Sequence, residues 1–176
     1  HACIMPHLHL SLQSGADNVL RKMARQYRMA DVWRIVERLA QTFDRPAITT
    51  DLIAGFPGET EADFSETVRA AGQIGFAKMH VFPYSPRRGT AAVTMTRQFG
   101  AIDAAVVKHR AAVLQELDKQ LQQRFRRSCA GLTESVLVES IDPPAGRSTR
   151  YFTVDLSDHP AAGHLNKGDI VPITIA

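Results

Sequence analysis

A parallel α/β architecture followed by a small all-β module is the fold class that this sequence predicts, and three observations carry it. Three strand-like runs, each followed by a helical pattern, fill the first part of the chain. Beyond Phe125 the segments remain β-like, with no helical pattern between them. The three early strands are also two-faced, apolar on one side and polar on the other. Strands alternating with helices imply parallel pairing and right-handed crossovers.

The first strand lies in LHLSLQSG, where Leu8, Leu10 and Leu12 alternate with His9, Ser11 and Gln13, and His7 stands just before. A polar turn follows, then MADVWRIVERLAQTF. Its Val32, Ile35, Val36, Leu39, Ala40 and Phe43 recur at the spacing of one helix face. The second strand is AITTDLIAG, turned by FPGET into a helix bearing Phe64, Val68, Ala71 and Ile74. Thr60 and Asp63 predict a capping box in which Asp replaces Glu. The third strand is KMHVFPYS, followed by the loop PRRGT and one long helix through Ile102, Val106, Val113, Leu117, Leu121 and Phe125. In the tail, LTESVLVESI, RYFTVDL and GDIVPITI predict strands, DPPAGRS a turn, and FRRSCAG the junction. The units are therefore placed at residues 1–127 and 128–176.

With 44% hydrophobic and 22% charged residues, the composition is that of a folded chain and excludes a disordered one. No apolar run approaches the roughly 18 residues that cross a bilayer, and no signal peptide is recognisable, so no membrane partner is expected. Cys3 and Cys129 match neither a disulfide framework nor a metal motif, which suits a cytoplasmic protein and predicts no metal site. The chain opens at His1 and reads as a fragment of something longer. Its net charge of +3 is unevenly spread: residues 128–176 hold three basic and six acidic side chains. A polyanion is expected to meet the first unit or the join.

The polar strand faces are the most informative feature. Strands of a sheet covered on both sides usually read apolar on both faces. Here His9, Ser11 and Gln13 are followed by Thr49 and Asp51 on the second strand, and by His80 in line with Phe82 and Tyr84 on the third. A solvent-facing edge explains one such strand. Three in succession suit a wide or open barrel whose lumen holds a ligand, unlike the filled interior of an eight-stranded barrel. The turns QSGAD, GFPGET and YSPRRGT sit where barrel strands end and helices begin; Gly15, Gly55, Gly58 and Gly89 either admit a ligand close to the backbone or simply make turns.

HLSLQSGADNVLRKMARQY, TTDLIAGFPGETEADF and KMHVFPYSPRRGTAA resemble the last three strand–loop segments of the radical S-adenosylmethionine methylthiotransferases, and ESVLVES through GDIVPITIA is similar to their TRAM domain. KMHVFPYS resembles the subgroup acting on threonylcarbamoyladenosine beside the tRNA anticodon; other subgroups act on isopentenyladenosine or on a ribosomal protein. The resemblance implies a partial (β/α) radical SAM barrel of three βα units plus a TRAM-like tail. It also implies a transferase that adds a methylthio group to tRNA, using S-adenosylmethionine and two 4Fe–4S clusters in the full-length enzyme. The hard chemistry belongs to the cofactors, and the protein positions them.

Carried over residue by residue, Gln13 and Ser14 face the ribose or methionine part of the cofactor. Arg25 either holds the methionine carboxylate bidentately or is solvated. Ile53 and Gly55 line the adenine, as do Phe82, Pro83 and Tyr84, with plain packing open for Tyr84. Arg87 and Arg88 at the mouth meet tRNA phosphate or form a solvated loop. Arg124, Arg126 and Arg127 do the same or merely suit a helix C-terminus, and Arg147, Arg150 and Lys167 form a basic strip on the tail. The cluster-binding C-x-x-x-C-x-x-C is absent, so the fragment is expected to bind no cluster and to be inactive alone. Two other readings remain: an RNA-binding module without its own catalysis, and an unrelated (β/α) enzyme using His9, Asp51 and His80 as acid–base groups.

Overall fold

The computed structural model describes residues 4–86 and 91–176. Along the first unit run β1 (His7–Gln13), α1 (Asp17–Lys22), α2 (Met29–Thr42), β2 (Ala47–Ala54) and α3 (Glu61–Ile74). They are followed by β3 (Lys78–Pro83), α4 (Ala91–Phe99) and α5 (Ala104–Ser128). The tail comprises β4 (Thr133–Ile141), β5 (Pro144–Ser148), β6 (Thr153–Asp155), a short 3₁₀ turn at Ala162–His164, and β7 (Ile170–Thr174).

β1, β2 and β3 form a parallel sheet in sequence order, as the alternation of strands and helices requires. Its register sets His9 beside Thr49, Thr49 beside Lys78, Asp51 beside His80 and Ile53 beside Phe82. Because side chains alternate across a strand, one face collects Leu10, Leu12, Ile48, Leu52 and Met79, and it is sealed by Val32, Phe64, Ala71, Leu114 and Leu121 from the helices. Burial of these side chains, at roughly 1.5–3 kcal/mol each, is what holds the helices on that face. On the other face His9, His80 and Phe82 are exposed.

Two sequence expectations in this unit are corrected. The polar turn after β1 contains the short helix α1, which buries Val19 and Leu20 completely. The single long helix is two: Gly100 adopts a positive φ of 84° and ends α4, and Asp103 accepts a hydrogen bond from the Ala105 N–H (2.7 Å) to begin α5. Ile102, expected inside the helix, lies in that break. The capping box at Thr60 and Asp63 is present as expected. Asp63 accepts from the Thr60 N–H (2.9 Å), and the Asp63 N–H donates back to the Thr60 hydroxyl (3.1 Å).

The tail forms a separate antiparallel sheet, ordered β6-β5-β4-β7, around Cys129, Val136, Val138, Val154, Leu156 and Ile175. DPPAGRS is not only a turn. Its Pro144–Ser148 portion pairs with β4, Val136 lying opposite Ser148. Proline is tolerated there as the first residue of a strand. Glycine is required at 146, because an added Cβ would sit 2.5 Å from the Val136 side chain.

Arg150, expected among RNA-facing cations, is instead buried at the junction of the two sheets. Its guanidinium donates to the carbonyls of Arg45 (2.9 Å) and Asp44 (2.7 Å) on the α2–β2 turn, and to the buried Glu134 carboxylate of β4. Each of its three nitrogens is thus engaged within the protein. Alongside it, the Tyr151 and His7 rings stack at 4.5 Å with 13° between planes.

Thr60→Ala and Asp63→Ala should each lower stability by about 1 kcal/mol in urea unfolding, as lost N-caps do. Arg150→Met leaves Glu134 buried without its cation and should cost about 3–5 kcal/mol; an unchanged unfolding midpoint would contradict the strut.

Candidate functional site

The polar face of the parallel sheet carries a directional chain of hydrogen bonds. Asp51 is acceptor-only when ionised, so His9 donates to it from Nε2 (3.3 Å) and presents Nδ1 as an acceptor to the Thr49 hydroxyl (3.0 Å). Thr49 in turn accepts from His7 Nε2 (3.3 Å). With both imidazoles neutral, this is the order of donors that satisfies all three contacts. Burial, and next the neighbouring His9, hold the His7 pKa below the ordinary imidazole value. His80 completes the row, its ring 6.3 Å from that of His9. The alternation read from the sequence thus brings His9, Asp51 and His80 together; Thr49 as the bridging hydroxyl was not singled out, although its place on the same face was legible.

The cofactor residues carried over by resemblance fall into two overlapping groups, Ile53 packing with Tyr84 against Ala16, Val19 and Phe56. Ile53, Phe82 and Pro83 come together at the C-terminal end of the sheet, where Ile53 pairs with Phe82 and Gln13 with Leu52. Phe82 is 51% exposed. Gln13 takes a left-handed φ of 69° at a bulge that ends β1. Arg25 lies in the turn after α1, and Tyr27, two residues on, donates its hydroxyl to the Ser11 (2.7 Å) and Leu12 (3.0 Å) carbonyls of β1. The other group faces the helices. Ser14 is fully buried, its hydroxyl 3.2 Å from that of Thr67 on α3 and accepting from the Ala16 N–H. Tyr84 turns edge-on to Phe56 at 5.4 Å, with its hydroxyl 3.1 Å from Thr96 on α4.

Gly55 belongs to a locked loop. It has φ 79°, and an added Cβ would approach Val107 of α5 to 2.4 Å. Its N–H donates to the Glu59 carboxylate (2.9 Å). That carboxylate, 1% exposed, receives Arg110 of α5 at 2.8 Å, and the same guanidinium reaches the Glu59 carbonyl and Glu61. Lys22 of α1 donates to the Gly58 carbonyl. Burial pushes the Glu59 carboxyl above its ordinary range, against the pull of the Gly55 N–H and Arg110. GFPGET was quoted from the sequence for its glycines; its glutamate is the residue that ties the turn to a helix far along the chain, and nothing local signals that.

Of the expected RNA-facing residues, Arg126 lies over Phe152 (5.7 Å), and Arg147 is held by Glu139 (3.0 Å) and covers the Tyr151 ring (4.9 Å). Arg124 reaches back to the Gly72 carbonyl (3.1 Å), and Arg127 and Lys167 are exposed. Arg87 and Arg88 lie outside the described residues. Lys78, Lys119, Arg126, Arg147 and Arg150, with His7, His9 and His80, line a cleft of about 770 Å³ between the polar sheet face, α5 and the tail.

A cluster needs several thiolates in one place. The chain has two cysteines, Cys3 outside the described residues and Cys129 in the tail core with its thiol pKa pushed up by burial. Among the described residues no group of three His, Cys, Asp or Glu is placed to hold a metal. The donors among the described residues therefore do not make a cluster site.

Arg110→Met should lower stability by about 3–5 kcal/mol by stranding Glu59. The loss should grow as pH rises through the carboxylate range, because the folded form then keeps a proton that the unfolded chain releases. Denaturant titrations at several pH values read both effects, and Glu59→Gln in the same background should remove the pH dependence.

Residues 2–71 match the radical SAM superfamily. The threonylcarbamoyladenosine tRNA methylthiotransferase of Thermotoga maritima is 41% identical over 136 residues, 77% of this chain and 31% of that protein. The tRNA-2-methylthio-N(6)-dimethylallyladenosine synthase of Thermobifida fusca is 44% identical over 135 residues, 77% of this chain and 27% of that protein. The corresponding synthase of Clavibacter michiganensis is 38% identical over 98% of this chain and 34% of its own length. The chain thus spans about a third of the relatives that it matches. In fold it is similar to coproporphyrinogen III oxidase from Escherichia coli, a radical SAM enzyme, with a TM-score of 0.51 at 15% identity, over 88% of this chain and 30% of that one. The chain is similar in sequence to the radical SAM tRNA methylthiotransferases over part of their length.

Proposed function

We propose that this chain is the C-terminal portion of a radical SAM tRNA methylthiotransferase acting on threonylcarbamoyladenosine beside the anticodon. Residues 1–127 supply the second half of the barrel, and residues 128–176 a TRAM-like module that helps hold tRNA in the cytoplasm. The observation that carries this reading is the hydrogen-bonded polar row His7, Thr49, His9 and Asp51 on the sheet face that the helices leave uncovered. A lumen lined in this way suits a polar modified base.

S-adenosylmethionine supplies hydrogen-abstracting chemistry to such an enzyme. The part of this chain is to seat it at the C-terminal strand ends: Phe82 and Ile53 against the adenine, Gln13 toward the ribose, and Arg25 toward the methionine carboxylate. The locked GFPGET loop keeps that end rigid, which is what positioning requires, since a displacement of 1 Å is enough to lose on the order of 10²-fold in rate. The cluster thiolates come from elsewhere in the protein.

tRNA from a strain lacking the gene should contain threonylcarbamoyladenosine without its methylthio group, measured by nucleoside mass spectrometry. An unchanged methylthio level overturns the assignment, and loss of the methylthio group from dimethylallyladenosine instead moves the substrate to that of the Thermobifida fusca relative.

A further inference from the structure

The cleft between the sheet face and the tail is one-sided in charge. Five Lys or Arg side chains and three His line it, and no Asp or Glu does so among the described residues. Most of these cations are held from behind. Lys78 is paired with Asp118 (2.7 Å), Lys119 with Glu116 (3.4 Å), Arg147 with Glu139 and Arg150 with Glu134. One is not: among the described residues Arg126 has no carboxylate partner. Beside these cations His80, exposed on the sheet face, has no hydrogen bond to either ring nitrogen among the described residues. His9 differs, because both its nitrogens are committed to Thr49 and Asp51. Asp51, the acid on the same sheet face, is register partner of His80 and half-exposed. On this face His80 offers an N–H donor and Asp51, its register partner, a carboxylate oxygen, while Lys78, held by Asp118, lies two residues lower on the same strand beside Thr49.

Position matters as much as charge. His80 precedes Phe82 by two residues, so this row lies about 7 Å below the strand ends at the rise of an extended chain. A nucleobase held at those ends would send a substituent of several atoms down to it.

Resting on the functional reading above, we propose that His80, with Lys78 and Asp51, forms the subsite that reads an acidic, hydroxylated substituent on the target adenine, and that Arg126 supplies the unpaired positive charge at the cleft mouth. A threonylcarbamoyl group brings a carboxylate for His80 and Lys78, and hydroxyl and urea N–H groups for Asp51. A dimethylallyl group brings none of these and would desolvate the row without compensation. Sites built to hydrogen-bond a substrate reject analogues that cannot.

The test is equilibrium binding to the full-length protein, read by calorimetry. The probes are threonylcarbamoyladenosine nucleoside, its methyl ester and dimethylallyladenosine. The acid should bind at least about tenfold tighter than either of the other two, the usual scale of one charge-assisted hydrogen bond. His80→Ala and Arg126→Ala should collapse that ratio, and His80→Gln, which keeps an N–H donor, should restore part of it. Arg38→Ala, at an exposed site on α2, should leave it unchanged. Equal binding of acid and ester, no nucleoside binding, or a ratio unaffected by His80→Ala overturns the proposal. So does an unmodified anticodon hairpin that binds as well as the modified one and weakens equally in both alanine variants, since the cleft would then read backbone phosphate. Methylthio product formed by the wild-type enzyme, with a ratio that His80→Ala leaves unchanged, sinks the subsite alone; a ratio that His80→Ala collapses, with no product on any tRNA, sinks the functional reading alone.

Discussion

A buried ion pair between Glu59 and Arg110 holds the first unit in register with itself. Replacing such a pair by apolar groups is often neutral for stability, whereas removing one partner is costly; its value lies in permitting one arrangement and penalising others. Glu59 closes the turn after β2 by accepting the Gly55 N–H, and Arg110 fastens that turn to α5. From there α5 extends along β3 to the tail. Asp118 accepts the Met79 N–H on β3 (2.7 Å), Arg124 reaches Gly72 at the end of α3, and Phe125 and Arg126 meet Phe152 in the tail. One helix thus carries position from the C-terminal strand ends to the second sheet.

The parallel sheet divides its labour between its faces. Apolar burial under the helices provides the cohesion, which frees the other face to carry side chains that contribute little to folding. The half-buried hydrogen bonds from His7 through Thr49 and His9 to Asp51 each contribute on the order of 1 kcal/mol, far less than the core beneath them. They do fix donor and acceptor directions, and fixed directions are what recognition of a polar ligand needs.

The junction is where the two units acquire a common property. Arg150 and Tyr151 draw the tail against the starts of β1 and β2, and the cleft so formed takes cations from the sheet, from α5 and from the tail. The net acidity of the tail is therefore a poor guide to its role. Its arginines face the cleft or the junction, while Glu134 and Glu139 serve to hold them.

Alternation and helical periodicity are local, so the sequence by itself determined the three parallel strands, the helices over their apolar face, the capping box at Thr60 and the polar row shared by His9, Asp51 and His80. Resemblance in HLSLQSGAD and GFPGET added the family. What it could not determine depends on partners far along the chain. Ser14 and Tyr84 lie beside strand ends, yet they turn to Thr67 and Phe56 because α3 and the β2 turn pack there. Arg150 reads as a solvent-exposed cation until the α2–β2 turn, more than a hundred residues earlier, presents two carbonyls to it. The helix break after Phe99 and the strand at Pro144–Ser148 were decided in the same way, by a left-handed glycine and a pairing partner whose effect no window of periodicity contains. Side-chain pattern dictates which face a residue occupies; only packing between distant segments decides whether that side chain is spent on structure or left for a ligand.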